Sequence, residues 1–165
     1  MGLFLDQDKL DGIHEMLSRP IADLGKLIGK YSAKYPLLEQ IGAENVPRIL
    51  EQGPNVVHLL ASLLNHELVS IEAKKSLTMA AAYLIWPLDI LPEGIIGPLG
   101  YVDDILVVVY VFNVMLNGTN LQDKEILTGL WKGRPADLET LREKVLKLES
   151  IKLAFQKFSL GKKKP

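Results

Sequence analysis

Apolar residues recur at steps of three and four along the first part of the chain. Leu10, Ile13 and Leu17 share one helix face before Pro20, and the run 21–28 repeats the pattern. This periodicity predicts two amphipathic helices, followed by short helices and turns over residues 36–53. A third helix is predicted to begin at Pro54, with one apolar face formed by Val57, Leu60, Leu64, Leu68 and Ile71.

Two strongly apolar runs dominate the middle of the sequence. The first runs through residues 79–85 and stops at Trp86 and Pro87, because a residue that precedes proline is disfavoured in the α-helical region. The second covers residues 105–116 and follows a stretch rich in glycine and proline. We expect a helical hairpin, and we call residues 87–104 the elbow. The β-branched valines of the second run would also suit a strand, but no partner strand is visible.

The C-terminal part is predicted to contain a short helix over residues 123–130 and one long helix over residues 137–158. The long helix has an apolar stripe, which consists of Leu138, Leu141, Val145, Leu148 and Phe155. The predicted fold is therefore all-α, a compact bundle around the central hairpin. We divide this single folded domain into residues 1–53, 54–122 and 123–165.

Composition and charge narrow the function classes. The chain has 165 residues, 48% of them hydrophobic, and a formal net charge of −1, which disfavours nucleic-acid binding. The absence of cysteine removes disulfides and thiolate chemistry. The first residues lack the features of a secretory signal, so we expect a cytoplasmic location.

The apolar runs also raise the question of a membrane. The uncharged stretch 76–88 has 13 residues and the run 105–116 has 12, both short of the ~20 that a spanning helix needs. A buried hairpin is the favoured interpretation. An interfacial or integral membrane hairpin is the alternative, which would make the location membrane-associated.

Four acidic residues mark the elbow: Asp89, Glu93, Asp103 and Asp104. No Lys, Arg or His occurs from residue 76 to residue 122, so no local cation can neutralise them. A carboxylate that leaves water needs hydrogen bonds, a cation or a proton. The favoured interpretation is capping, because Asp103 and Asp104 precede the predicted helix at Ile105. The alternative is a Mg²⁺ or Ca²⁺ site formed by all four carboxylates.

The same region carries a longer pattern. It consists of Tyr83, Pro87, Asp89, Pro92, Glu93, Gly97, Gly100, Tyr101, Asp103 and Asp104. In order and spacing it resembles the YkvA-like family, a bacterial family of unknown function. Glu93 stands where that family usually has Asp. The resemblance covers about a quarter of the chain. It implies a small helical module that is often membrane-associated, and it implies no established activity.

Other chemistry is poorly supported. His14, His58 and His66 are scattered, although His58 and His66 would share a broad helix face. The glycines of the elbow match neither a dinucleotide-binding loop nor a phosphate loop. We therefore expect a non-enzymatic interaction or scaffold module with no cofactor. Its partner is expected to be an unknown protein, a second copy bound through the C-terminal helix, or a membrane surface. The alternatives are a carboxylate-based metal-binding protein or hydrolase and an integral membrane hairpin.

Overall fold

The computed structural model describes residues 7–20, 23–85 and 97–160, with only the backbone at positions 97 and 98. Within these ranges the chain forms nine α-helices and a short 3₁₀ turn at Gly97–Gly100, and no strand. The helices are α1 (Gln7–Leu17), α2 (Leu24–Ser32), α3 (Pro36–Ile41), α4 (Val46–Leu64), α5 (Ile71–Ile85), α6 (Tyr101–Asn117), α7 (Leu121–Leu130), α8 (Pro135–Leu146) and α9 (Glu149–Ser159). The prediction of an all-α bundle is confirmed.

Helix α6 is the centre of the bundle. Each residue from 102 to 109 is buried, and α4, α5, α8 and α9 pack around this helix. The strand alternative for the valines of this run is wrong. The backbone N–H and C=O groups of an α-helix bond to each other within the helix. A helix can therefore be buried on every side without leaving backbone groups unpaired, whereas a strand would need a partner strand.

Helix α4 begins eight residues earlier than the sequence indicates. Pro47 lies in its first turn, and Pro54, where we predicted the start, lies inside the helix. An internal proline costs about 3 kcal/mol because it removes a hydrogen bond and crowds the preceding turn. The longer helix buries Val46, Ile49 and Leu50, and each such side chain contributes about 1.5–3 kcal/mol. This burial offsets the cost of the proline.

The predicted apolar face of α4 extends too far. The helix ends at Leu64 and its C-cap is Asn65, so Leu68 and Ile71 lie beyond it and are largely exposed. His66 also lies beyond the helix, where its Nδ1 accepts a hydrogen bond from the backbone N–H of Leu68 at 3.2 Å. The prediction that His58 and His66 share one helix face is wrong.

Close packing joins α1, α4 and α6 at Gly53. A Cβ atom at this position would lie 3.0 Å from Ile105 Cδ1 and 3.0 Å from Leu17 Cδ1. A glycine inside a helix is normally unfavourable because it has no side chain to pack. At position 53, the lack of a side chain allows α1 and α6 to pack closely against α4.

The C-terminal region forms two helices where the sequence predicts one. The chain breaks between α8 and α9, at Lys147 and Leu148, and all five residues of the predicted apolar stripe are buried. In one straight helix, Ala154 would lie on the opposite side from Leu138, given 3.6 residues per turn. The break redirects α9, so that Ile151 and Ala154 also face the core.

Candidate functional site

A tyrosine and an aspartate of the recognised pattern meet inside the core. The hydroxyl of Tyr83 on α5 donates a hydrogen bond to Oδ2 of Asp103 on α6, at 3.3 Å. Both side chains are 0% exposed. The ring of Tyr83 also packs edge-on against Phe158 of α9, with centroids 5.5 Å apart. The pair therefore lies where three helices meet.

The two aspartates do not cap α6 in the predicted way. We expected them to precede the helix at Ile105, but α6 begins at Tyr101 and its N-cap is Gly100. Asp103 and Asp104 are the third and fourth helical residues, and Asp104 is also 0% exposed. A carboxylate in the first helical turn still interacts favourably with the helix dipole.

The remaining residues of the pattern divide into two groups. Gly97 and Gly100 bound the 3₁₀ turn that leads into α6, and Tyr101 is half-buried at the start of that helix. Pro87, Asp89, Pro92 and Glu93 lie outside the described residues. Within the described ranges, no group of three or more His, Asp or Glu side chains is placed to hold a metal ion. The four-carboxylate site therefore stays a prediction.

A buried aspartate that the sequence analysis missed connects the start of α7 to the residue before α5. Asp123 on α7 accepts hydrogen bonds from the backbone N–H of Ser70, at 2.8 Å, and from the Ser70 hydroxyl. Ser70 Oγ in turn accepts from the N–H of Ala73 at 3.2 Å, in the first turn of α5. Asn120 Oδ1 accepts from the N–H of Asp123 at 3.0 Å. In the sequence, an Asn followed three residues later by an Asp at the start of a helix was the signal that could have indicated this N-cap.

A second missed interaction brings a cation to helix α6, which has no basic residue of its own. Arg142 on α8 donates to Asn113 Oδ1 at 2.9 Å and to Asn117 Oδ1 at 3.2 Å. It also donates to Glu139 Oε2 at 3.0 Å. The sequence lacks basic residues over 76–122, so this cation comes from a distant helix. It satisfies the side-chain oxygen of the buried Asn113.

An open cavity of about 630 Å³ lies between the start of α5 and the end of α6. Ile71, Val114 and Met115 contribute apolar surface, whereas Ser76 and Asn120 offer hydrogen-bonding groups. Ile71 is 75% exposed and Val114 is 48% exposed. Residues 70 and 123 also line this cavity, so the Ser70–Asp123 hydrogen bonds fix its shape.

His14 and His58 line a smaller cavity between α1 and α4. The Ser62 hydroxyl lies 3.4 Å from Nε2 of His58. Partial burial lowers the pKa of His58 below its usual value, and the charges of Lys132 and His14 lower it further. Protonation of this imidazole is therefore disfavoured in the folded chain.

Among the helices of the described ranges, none combines the length and the apolar character that crossing a bilayer requires.

The elbow and its flanking helices match a known family model. A model described as "Protein of unknown function (DUF1232)" matches residues 73–110, which include Tyr83 and Asp103. An uncharacterized protein, ORF9 of Methanothermobacter thermautotrophicus, is 37% identical over 82 residues, which are 48% of this chain and 53% of that protein. The E3 ubiquitin-protein ligase RNF170 of Danio rerio is 54% identical over 33 residues, which are 20% of this chain and 12% of that protein.

These relatives extend beyond the matched region. The chain spans about half the length of the first and about an eighth of the second. No solved structure matches the chain significantly. The chain thus contains a segment similar to an uncharacterized family. The YkvA-like assignment and a bacterial origin stay predictions.

Proposed function

We propose that this chain is a non-enzymatic helical interaction module that binds a segment of a partner protein in the cavity beside Ile71 and Val114. The burial of Tyr83 and Asp103 supports a structural role for the pattern they belong to. A general acid or base must reach its substrate, and these two groups lie inside the core.

The observation that carries the proposal is the exposure of apolar side chains at the cavity. Ile71 and Val114 are branched aliphatic residues on different helices, and both remain accessible at its rim. Exposed apolar side chains around a concave surface are typical of binding sites. Ser76, Thr119 and Asn120 bring hydrogen-bonding side chains to the same surface, which suits a polypeptide.

The charged residues that line the cavity indicate what kind of partner segment would bind there. Glu72 lines the cavity, and so does Asp123, whereas no Lys, Arg or His does so. An anionic ligand would meet only negative side chains there. The occupant is therefore proposed to be a neutral or basic segment that places an apolar side chain against Val114.

Cross-linking of the full chain in cells tests this proposal. We expect the double substitution Ile71→Asp and Val114→Asp to reduce the yield of one cross-linked partner at least about tenfold, which corresponds to ~1.4 kcal/mol. The matched control is Ala33→Asp with Gln40→Asp, which adds the same two charges at exposed positions away from this cavity. An unchanged set of cross-linked proteins in the cavity variant would overturn the proposal.

A divalent-cation protein is the second candidate. The observation that favours it is the position of Asp103 and Asp104, two adjacent buried carboxylates at the start of α6. They directly follow the sequence segment that contains Asp89 and Glu93. Titration calorimetry with Mg²⁺ and with Ca²⁺ distinguishes the candidates. Binding that is lost in both Asp89→Asn and Asp103→Asn would favour the metal site, and no heat at millimolar cation would exclude it.

A further inference from the structure

We propose that the outward face of α9 docks on an anionic lipid bilayer. No residue of this surface lines the protein-binding cavity, although Lys152 and Val114 border a common neighbouring cavity. The two proposals are tested with different variants, so either can fail without the other. We call the docking face the α9 face, and it consists of Lys152, Leu153, Gln156, Lys157 and Leu160.

Helix α9 has two distinct sides. Ile151, Ala154 and Phe155 are buried against the bundle. On the opposite side, Leu153 is 45% exposed, and Leu160, the C-cap residue, is 73% exposed. Their seven-residue separation places both leucines on one line along the helix. These two side chains therefore do not belong to the core of the bundle.

Lysines flank the exposed leucines. Lys152 and Lys157 are exposed and adjoin this line, and Lys147 is exposed just before the helix. Residues 147–165 contain six lysines and one glutamate, a formal charge of +5, whereas the whole chain carries −1. The charge of this protein is therefore strongly asymmetric. A basic, amphipathic surface at one end is opposed by an acidic remainder.

Three kinds of occupant could use a basic surface, and the leucines distinguish them. A nucleic acid would use the lysines, but it gains little from exposed aliphatic side chains. A second copy, paired through the same face, would bring two strongly positive surfaces together. An anionic bilayer uses both features, because leucines enter the interfacial region while lysines contact the headgroups.

The acidic remainder of the chain would help to orient the protein on such a bilayer. A negative membrane repels the acidic surfaces and attracts the lysine-rich end. Docking would therefore place α9 against the lipid and leave the rest of the bundle in water. The buried side of α9, including Phe158 against Tyr83, would keep its present contacts.

Sedimentation of the full chain with lipid vesicles tests the proposal. We expect at least about tenfold stronger partitioning onto phosphatidylcholine vesicles that contain phosphatidylserine than onto phosphatidylcholine alone. Raising the salt concentration should weaken this binding, because the attraction of exposed charges is screened. Equal partitioning onto both kinds of vesicle would overturn the proposal.

Two variants and a matched control locate the binding surface. Lys152→Glu with Lys157→Glu, and separately Leu153→Ser with Leu160→Ser, should each reduce partitioning at least about tenfold. The control is Lys74→Glu with Lys75→Glu, a lysine pair of α5 beside exposed Ile71. All substituted side chains lie outside the core, and circular dichroism would check the fold.

The two sets of variants distinguish lipid docking through α9 from partner binding in the cavity beside Ile71. If the α9 variants bind vesicles as well as the wild-type chain, or if only the α5 control loses binding, the α9 face is not the docking surface. If the Ile71 and Val114 variant keeps its vesicle binding but loses its cross-linked partner, both proposals stand. Binding of a labelled oligonucleotide through α9, without vesicle binding, would overturn the lipid assignment.

Discussion

Tyr83 donates its hydroxyl hydrogen bond to Asp103 from a position twenty residues earlier in the chain, and the bond joins α5 to α6 inside the core. Both partners are fully buried. A buried carboxylate is costly unless polar groups compensate for the water it has lost, and the phenol of Tyr83 is one such group. The pair thus explains why an apolar hairpin tolerates an acidic side chain.

Removal of this hydroxyl should weaken the fold. We expect Tyr83→Phe to lower the free energy of unfolding by about 1–3 kcal/mol, because it deletes a hydrogen bond to a buried acidic group. Urea denaturation followed by circular dichroism measures the change. Tyr110→Phe is the matched control, since Tyr110 lies on α6 and contacts the ring of Phe155. Equal effects of both substitutions would show that the Tyr83 hydroxyl has no special role.

The Ser70–Asp123 interaction predicts coupling between two distant segments. Asp123→Ala should destabilise the chain by about 1–3 kcal/mol, because the N–H and hydroxyl of Ser70 both lose their acceptor. Ser70→Ala should have a smaller effect, since it keeps the backbone N–H. In a double-mutant cycle we expect a coupling energy of about 0.5–3 kcal/mol. Strict additivity of the two substitutions would contradict the described hydrogen bonds.

Two helical glycines should respond in opposite ways to alanine. Gly129→Ala on α7 should stabilise the chain by about 0.5–1 kcal/mol, because its Cβ would meet no atom within 4 Å. Gly53→Ala gains the same helix propensity but crowds Ile105 and Leu17 at 3.0 Å. Overpacking typically costs about 1–3 kcal/mol, so we expect net destabilisation. Thermal unfolding of both variants checks the difference, and equal shifts would contradict the close packing at Gly53.

The lowered pKa of His58 predicts that the folded chain loses stability in mild acid. Its folded-state pKa is lowered below 6.5, mainly by burial, so below that pH the unfolded chain binds a proton more readily than the folded chain. The free energy of unfolding should therefore decrease as the pH falls through 6.5. Well above pH 6.5, His58 is neutral in both the folded and the unfolded chain, and this loss of stability is absent. Denaturation between about pH 5.5 and 7.5 should show a shallower dependence in His58→Gln. An identical slope in both proteins would exclude this role.

Local periodicity was sufficient for much of the fold. The spacing of Leu10, Ile13 and Leu17 predicted α1, and the apolar stripe from Leu138 to Phe155 predicted which face of the C-terminal region is buried. These predictions succeed because a helix repeats every 3.6 residues, so the pattern of burial is visible in the order of the residues. Helix boundaries were less accurate, as Pro54 and the break at Leu148 show.

The candidate site was predictable as a set of residues but not as a set of contacts. The pattern from Tyr83 to Asp104 indicated an acidic turn between two apolar helices. It did not reveal that Tyr83 is a hydrogen-bond donor to Asp103, because that contact depends on how α5 and α6 cross. Asp89 and Glu93 lie outside the described residues, so their relation to Asp103 stays a prediction.

The amino-acid sequence by itself determined the helical class, the apolar hairpin and the lack of basic residues over 76–122, since these follow from residue types and short spacings. Only the tertiary structure decided that Asp103 meets Tyr83 and that Asp123 holds Ser70, 53 residues away. It also decided that the leucines of α9 face outward. Such relations depend on packing angles between helices, which side-chain shapes fix collectively and no local pattern encodes.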